Sequence, residues 1–157
     1  MNNITIADNR YWVRVNNLYS YPILFGDVLI SIQHKYAAQI YDGTKRYLLK
    51  HNAPNFEPGK MMWIYEPLPV GKITGYVEFR ACMMAAPWLI WQRFKYCLGV
   101  TQAEFFRYYA GRDTAYAWEL AGKVKLDEPI TLADIGLTRP PQSYQYLNIV
   151  PSNTQNK

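Results

Sequence analysis

The sequence predicts an α+β domain, a small curled sheet or β-barrel with helices packed at its ends. Three observations predict it. Short β-branched and aromatic runs recur along the chain and are joined by loops rich in Pro, Gly and Asn rather than by regular helical crossovers. Two stretches of helical period sit side by side in the middle. Half of the 157 residues are hydrophobic and 16% are aromatic, which is enough apolar material for a core in a chain of one-domain length.

The elements follow in order. Arg10 to Val15 (RYWVRV) has the content of a short strand, and NNLYSYP after it reads as a loop. DVLISIQ (Asp27 to Gln33) reads as a buried strand, a short apolar, β-branched run bounded by Gly26 and by polar residues. HKYAAQIYDG switches to helical spacing, with Tyr36, Ala37 and Ile40 on one face and Gly43 as the C-terminal cap. Lys45 to His51 reads as a strand, Asn52 to Lys60 as a loop, and Met61 to Glu66 as another strand. Lys72 to Met84 alternates like a strand, with Gly75 at a bulge or close approach. Pro87 to Gly99 is amphipathic, with Trp88, Trp91, Phe94 and Leu98 on what reads as the core side. Thr101 with Glu104 forms a capping box that opens a further helix closed by Gly111. Ala115 to Leu126 is a strand, and Asp127 to Leu147 carries turns, Pro140-Pro141 and a last short strand.

The formal net charge is +5, from 17 Lys and Arg against 12 Asp and Glu. Such a bias suits a nucleic-acid or nucleotide partner, because cations near phosphate gain by counterion release. No apolar run approaches the roughly 18 residues needed to cross a bilayer, and MNNITIADNR lacks a basic segment followed by an apolar one, so neither membrane span nor signal peptide is expected. Cys82 and Cys97 form no CxxC or His-rich pattern. A reduced, cytoplasmic protein with no metal and no cofactor is expected.

Four blocks, ISIQHKYAAQIYDGTKRYLLKH, MMWIYEPLPVGKITGYVEF, VTQAEFFRYYAGRDTAYAWEL and PITLADIGLTRPPQSYQYL, in this order and spacing, resemble the ASCH domain, a branch of the PUA-like superfamily. The resemblance implies a PUA-like small β-barrel over residues 27–150, an N-terminal extension at 1–26 and a flexible tail at 151–157. The family signature G-x-K-x-x-E-x-R falls on Gly43 to Lys50. The Gly and Lys match at Gly43 and Lys45; the Glu position holds Leu48 and the Arg position Lys50. Some family members are similar to nucleoside amidohydrolases that use a Lys, a Thr and a Glu. Here the Thr position is again Leu48, which can neither accept a proton nor attack a carbonyl.

The resemblance implies binding of RNA or of a modified nucleoside or nucleotide in a cleft around Lys45. A Lys after a glycine turn suits phosphate as a compact point charge, and burial would lower its pKa towards that of a base or nucleophile. Strand alternation puts Lys45 inside and Arg46 and Lys50 on an outer basic face, where with Lys35 and Arg112 they supply the electrostatic approach. Tyr65 can stack on a base and Glu66 can accept from a base amino group. Gln142 and Ser143, presented by the stiff Pro140-Pro141 pair, can bond base edges or a 2′-hydroxyl. An enzymatic alternative, amidohydrolase or ribonuclease, uses the same cleft, with Lys45, Glu78 and Ser143 as catalytic candidates and Glu78 as the partner of Lys45. A third reading is a protein-interaction module or inhibitor encoded by a mobile element. It would make contact through the Tyr-rich N-terminal arm and the Trp helix, and exposed Trp88 and Trp91 would favour it.

Overall fold

The structure is a computed structural model, and it describes residues 3–152. The last five residues of the expected tail lie outside the described residues; Pro151, within that tail, is buried. The elements are β1 (Ile4–Ala7), β2 (Arg10–Arg14), β3 (Ser20–Pro22), β4 (Asp27–Ser31), α1 (His34–Asp42), β5 (Tyr47–Lys50), β6 (Met61–Glu66), β7 (Lys72–Ala85), α2 (Pro87–Phe94), a 3-10 turn (Lys95–Cys97), α3 (Gln102–Tyr108), β8 (Ala115–Ile130), a second 3-10 turn (Ala133–Ile135) and β9 (Tyr144–Leu147). Strands and helices are mixed, as the α+β reading expects. Hydrogen-bonded neighbours run β1-β2-β3 in one sheet and β5-β8-β7-β6-β4-β9 in the other.

The chain divides into two compact units. The first is Met1–His34, Met61–Val77 and Val124–Lys157; the second is Lys35–Lys60 and Glu78–Lys123. The long strands β7 and β8 contribute residues to both.

In the first unit, Asp8 and Asn9 both take positive φ (54° and 59°), the left-handed geometry that a two-residue hairpin needs and that Asp and Asn tolerate. They join β1 to β2, with Ala7 opposite Arg10. NNLYSYP is not wholly a loop, because Ser20–Pro22 pairs with β2. Pro22 is compatible with a strand there because β3 is an edge, where the missing N–H breaks no ladder. β4 and β6 pair in parallel, Val28 opposite Met62 through Ser31 opposite Tyr65. β4 is apolar on both faces, which is the signature of a buried parallel strand. The core of this unit gathers Trp63, Leu29, Ile73 and Tyr76 with Tyr11, Val13, Val15 and Ile23 from the N-terminal segment. The Trp63 indole is fully buried and donates Nε1–H to Asp27 Oδ2 at 3.1 Å, so its one polar atom is satisfied.

In the second unit, Phe105, Ile90, Leu98, Tyr47 and Tyr109 form the core. The capping box is complete: Thr101 Oγ1 accepts from Glu104 N–H, and Glu104 Oε1 accepts from Thr101 N–H. Trp91 is half-buried against Phe105, with ring centroids 5.3 Å apart, but Trp88 is 61% exposed and is not core. α2 stops at Phe94 and the chain tightens into the 3-10 turn, so the expected helix to Gly99 is shorter. Among the described residues, no helix is long and apolar enough to cross a membrane.

Candidate nucleotide-binding site

Lys45 is positioned by a turn that its neighbours dictate. α1 ends at Asp42, and Gly43 takes φ of 91°, which a side chain would strain. Asp42 Oδ1 then accepts from Thr44 N–H at 2.7 Å, closing an Asx turn. Lys45 N–H donates to Gln39 O at 3.0 Å, and Arg46 N–H to Cys97 O at 2.7 Å. Gly99 lets the chain pass close by: a Cβ there would lie 3.2 Å from Lys45 Cβ and 2.3 Å from Gln39 Oε1.

The result is a buried cation. Lys45 is 5% exposed, and its Nζ donates to Leu98 O at 2.5 Å and lies 4.9 Å from the centroid of the Tyr36 ring. Burial pushes its pKa down to about 8; Lys50 acts in the same sense, and Glu104 opposes. The ring face and the carbonyl are its neutral hosts, and no carboxylate forms an ion pair with it among the described residues.

Tyr36 also lines a cleft of about 370 Å³, together with Val100, Glu104, Phe105, Arg107 and Tyr108. α1 supplies the first of these and α3 most of the others. The cleft is amphipathic: aromatic faces, one carboxylate and one guanidinium. The Glu104 carboxyl is held below its usual range chiefly by the Thr101 backbone N–H, and Lys35 Nζ stands 3.5 Å from it. Tyr108 stacks on His51 with centroids 3.9 Å apart, and His51 Nε2 lies 2.8 Å from Tyr108 O, so this edge is braced. Lys35, Arg107 and Arg112 are exposed.

The remaining candidates separate. Arg46 is exposed as expected. Lys50 is not on an outer basic face: it is half-buried, with its ammonium 5.6 Å from the Trp118 ring and its pKa lowered by burial. Glu78 is half-buried and does not pair with Lys45; the carboxylate that acts on Lys45 is Glu104. Tyr65, Glu66, Gln142 and Ser143 belong to the first unit. Tyr65 is 5% exposed and packs in that unit's core. Glu66 is buried, and His34 Nδ1 meets its Oε1 at 2.6 Å. Gln142 and Ser143 are exposed. Ser31 fixes their segment, donating Oγ–H to Pro141 O at 2.7 Å and N–H to Ser143 O at 2.9 Å.

Sequence reasoning missed Tyr36, Arg107 and Tyr108 as cleft residues, and His34 as the partner of Glu66. The period of α3 carried a signal: Phe105 and Tyr109 occupy its buried side, which turns Arg107 and Tyr108 outward. Among the described residues, no group of three or more His, Cys, Asp or Glu could hold a metal ion.

The chain matches no family model. It is 22% identical over 120 residues to large ribosomal subunit protein uL22 from two strains of Ureaplasma parvum serovar 3, a match covering 76% of this chain and 39% of that protein. The chain thus spans about two fifths of the length of the curated relatives it matches. Among solved structures it is similar to ASCH from Zymomonas mobilis, at 23% identity and a TM-score of 0.71 over 78% of this chain and 87% of that one. A Tyr→Phe variant of the same protein matches at 22% identity and TM-score 0.70, covering 78% of this chain and 90% of that one.

Proposed function

Since the chain has the fold of an ASCH domain, we propose that it binds RNA or a nucleotide in the cleft between α1 and α3. The same likeness supports reading its strands as a PUA-like β-barrel. The single observation that carries the binding proposal is Lys45, a buried ammonium seated over the face of Tyr36, whose ring is also a wall of the cleft. The cation gives the cleft a positive potential that solvent screens little, which favours an anionic ligand. Tyr36 and Tyr108 offer faces on which a base can stack, and Arg107 offers a planar fork for phosphate. Glu104 can accept from a base amino group.

Charge supports the same reading. The second unit holds eleven Lys and Arg against six Asp and Glu, and the first holds six of each, so the whole net charge of +5 belongs to the second. Similarity to a protein of the large ribosomal subunit is in keeping with an RNA partner. Two free cysteines, Cys82 and Cys97, fit a reducing, cytoplasmic setting.

Catalysis by Lys45 is less well supported than binding. Its amine is already donating to Leu98 O, and Glu78, its expected partner, does not pair with it.

The test is titration of the wild type, Tyr36→Ala and Lys45→Met with uridine 5′-monophosphate. Each substitution is expected to weaken binding about tenfold, the Tyr36 change by loss of stacking. Unchanged affinity in both variants refutes the cleft assignment.

A further inference from the structure

The face of α2 and the 3-10 turn that follows it is unlike the rest of the surface. From Phe79 to Ala103 the chain has no Asp or Glu, and it carries Arg80, Arg93 and Lys95. Within this stretch Trp88 is 61% exposed and Tyr96 87% exposed. Trp88 and Gln92 share one side of α2, and Tyr96 follows in the 3-10 turn. Arg93 is exposed beside them, and Lys95 Nζ lies 5.4 Å from the Tyr96 ring.

The same helix packs against the helix that lines the cleft. Trp91 contacts Phe105 and Phe106, with centroids 5.3 and 6.1 Å apart. Phe105 lines the cleft, and Phe106 is 36% exposed.

We propose that this face extends the cleft into a track for single-stranded nucleic acid, with Trp88 and Tyr96 each stacking a base and Arg93 and Lys95 neutralising phosphates. The inference rests on the nucleotide reading of the cleft and adds the class of ligand: an oligomer rather than a mononucleotide. The chemistry selects this occupant. Flat aromatic faces interleaved with cations suit a ligand that alternates flat bases with phosphates, and a chain segment lacking carboxylates presents little repulsion to a polyanion. A protein-protein patch is also rich in Trp, Tyr and Arg but depleted in Lys, so Lys95 is the residue here that favours a polyanion.

The experiment compares uridine 5′-monophosphate, a uridine trimer and a uridine decamer on the wild type, Trp88→Ala, Trp88→Phe and Tyr36→Ala at low salt. The wild type is expected to bind the decamer at least about tenfold more tightly than the trimer. Trp88→Ala is expected to lose about tenfold on the decamer and nothing on the mononucleotide. Trp88→Phe should restore most of that loss, and Tyr36→Ala should weaken both ligands. Equal decamer affinity in wild type and Trp88→Ala overturns the track, as does a decamer bound no better than the trimer. Binding to anionic lipid vesicles that Trp88→Ala abolishes, with decamer binding unaffected, overturns it in favour of a membrane surface. A decamer bound through Trp88 without any mononucleotide binding keeps the track and removes the cleft.

Discussion

The two units differ in how they hold aromatic and charged groups. In the first, Trp63 is fully buried, Tyr21 stacks on Tyr76 at 4.8 Å while Tyr19, Phe25 and Tyr146 are exposed, and the buried carboxylates have fixed donors. Asp27 accepts from Trp63 and from the Leu24 N–H, and Glu66 meets His34. Its positive and negative residues balance. In the second unit, Trp88, Tyr96 and Tyr108 remain exposed, cations outnumber carboxylates, and the buried charge, Lys45, has a carbonyl and a ring for company. A charge buried without a counter-ion costs stability. The contrast teaches that the unit carrying such a cost is the one in which to look for a ligand.

The largest test of this contrast compares two tryptophans. Trp63→Ala should lower the unfolding free energy by about 3–5 kcal/mol, because it removes a fully buried indole and leaves Asp27 without one of its donors. Trp88→Ala should change it by less than about 0.5 kcal/mol, since a residue that exposed packs little. Urea unfolding of both variants decides the matter. A comparable loss in each would mean that the α2 face is structural after all.

The next effect in size is on pH dependence. Lys45 titrates near 8 in the folded chain against an ordinary value of 10.5, so the unfolded chain binds more protons between those values. Stability should therefore rise with pH from about 8 towards 10.5, by at most about 3 kcal/mol for a shift of this size. Burial raises Tyr76 and Tyr109 above the usual phenol range, so their contribution is intact below pH 10 and lost above it. The wild type should gain stability between pH 8 and 10 and lose it beyond. Lys45→Met should flatten most of the rise; Lys50, also pushed down by burial, leaves a remainder. Denaturation at pH 7.5, 9 and 10 checks this, and identical slopes in the two proteins would mean that the amine is not held as described.

What the sequence revealed depended on whether the cause was local. α3 was legible because Thr101 and Glu104 announce their own reciprocal bonds, and the end of α1 because Gly43 takes a conformation that glycine prefers. β6 was legible at both ends, since Met61 follows a Pro-Gly loop and Pro67 stops it. Causes that lie far along the chain were not. Glu66 read as an acceptor for a base amino group, because its partner His34 is 32 positions away. The parallel pairing of β4 with β6 needs the register of two strands separated by α1 and β5. Tyr36 has a ring that serves the helix's apolar side and the cleft at once, and periodicity alone assigns it to the first. Lys45 was expected inside, but the carbonyl that holds it belongs to Leu98, 53 residues on.

The smallest effect is also the finest test of the contrast, because each unit contains the same reciprocal motif. Thr101 and Glu104 cap α3 in the second unit. In the first, Thr131 N–H donates to Asp134 Oδ2 at 2.9 Å while Asp134 N–H donates to Thr131 Oγ1 at 3.1 Å, ahead of the second 3-10 turn. Replacing either threonine with alanine removes one cap acceptor and should cost about 1 kcal/mol. Thr101→Ala also loosens the first turn of the helix that carries Arg107 and Tyr108, and it leaves Glu104 held by Lys35 and its own remaining bond to the backbone. It should weaken uridine monophosphate binding two- to threefold, a change of about 0.4–0.6 kcal/mol. Thr131→Ala should leave that affinity unchanged at equal cost in stability. If the two variants lose binding alike, the loss follows general destabilisation and α3 has no special place in recognition.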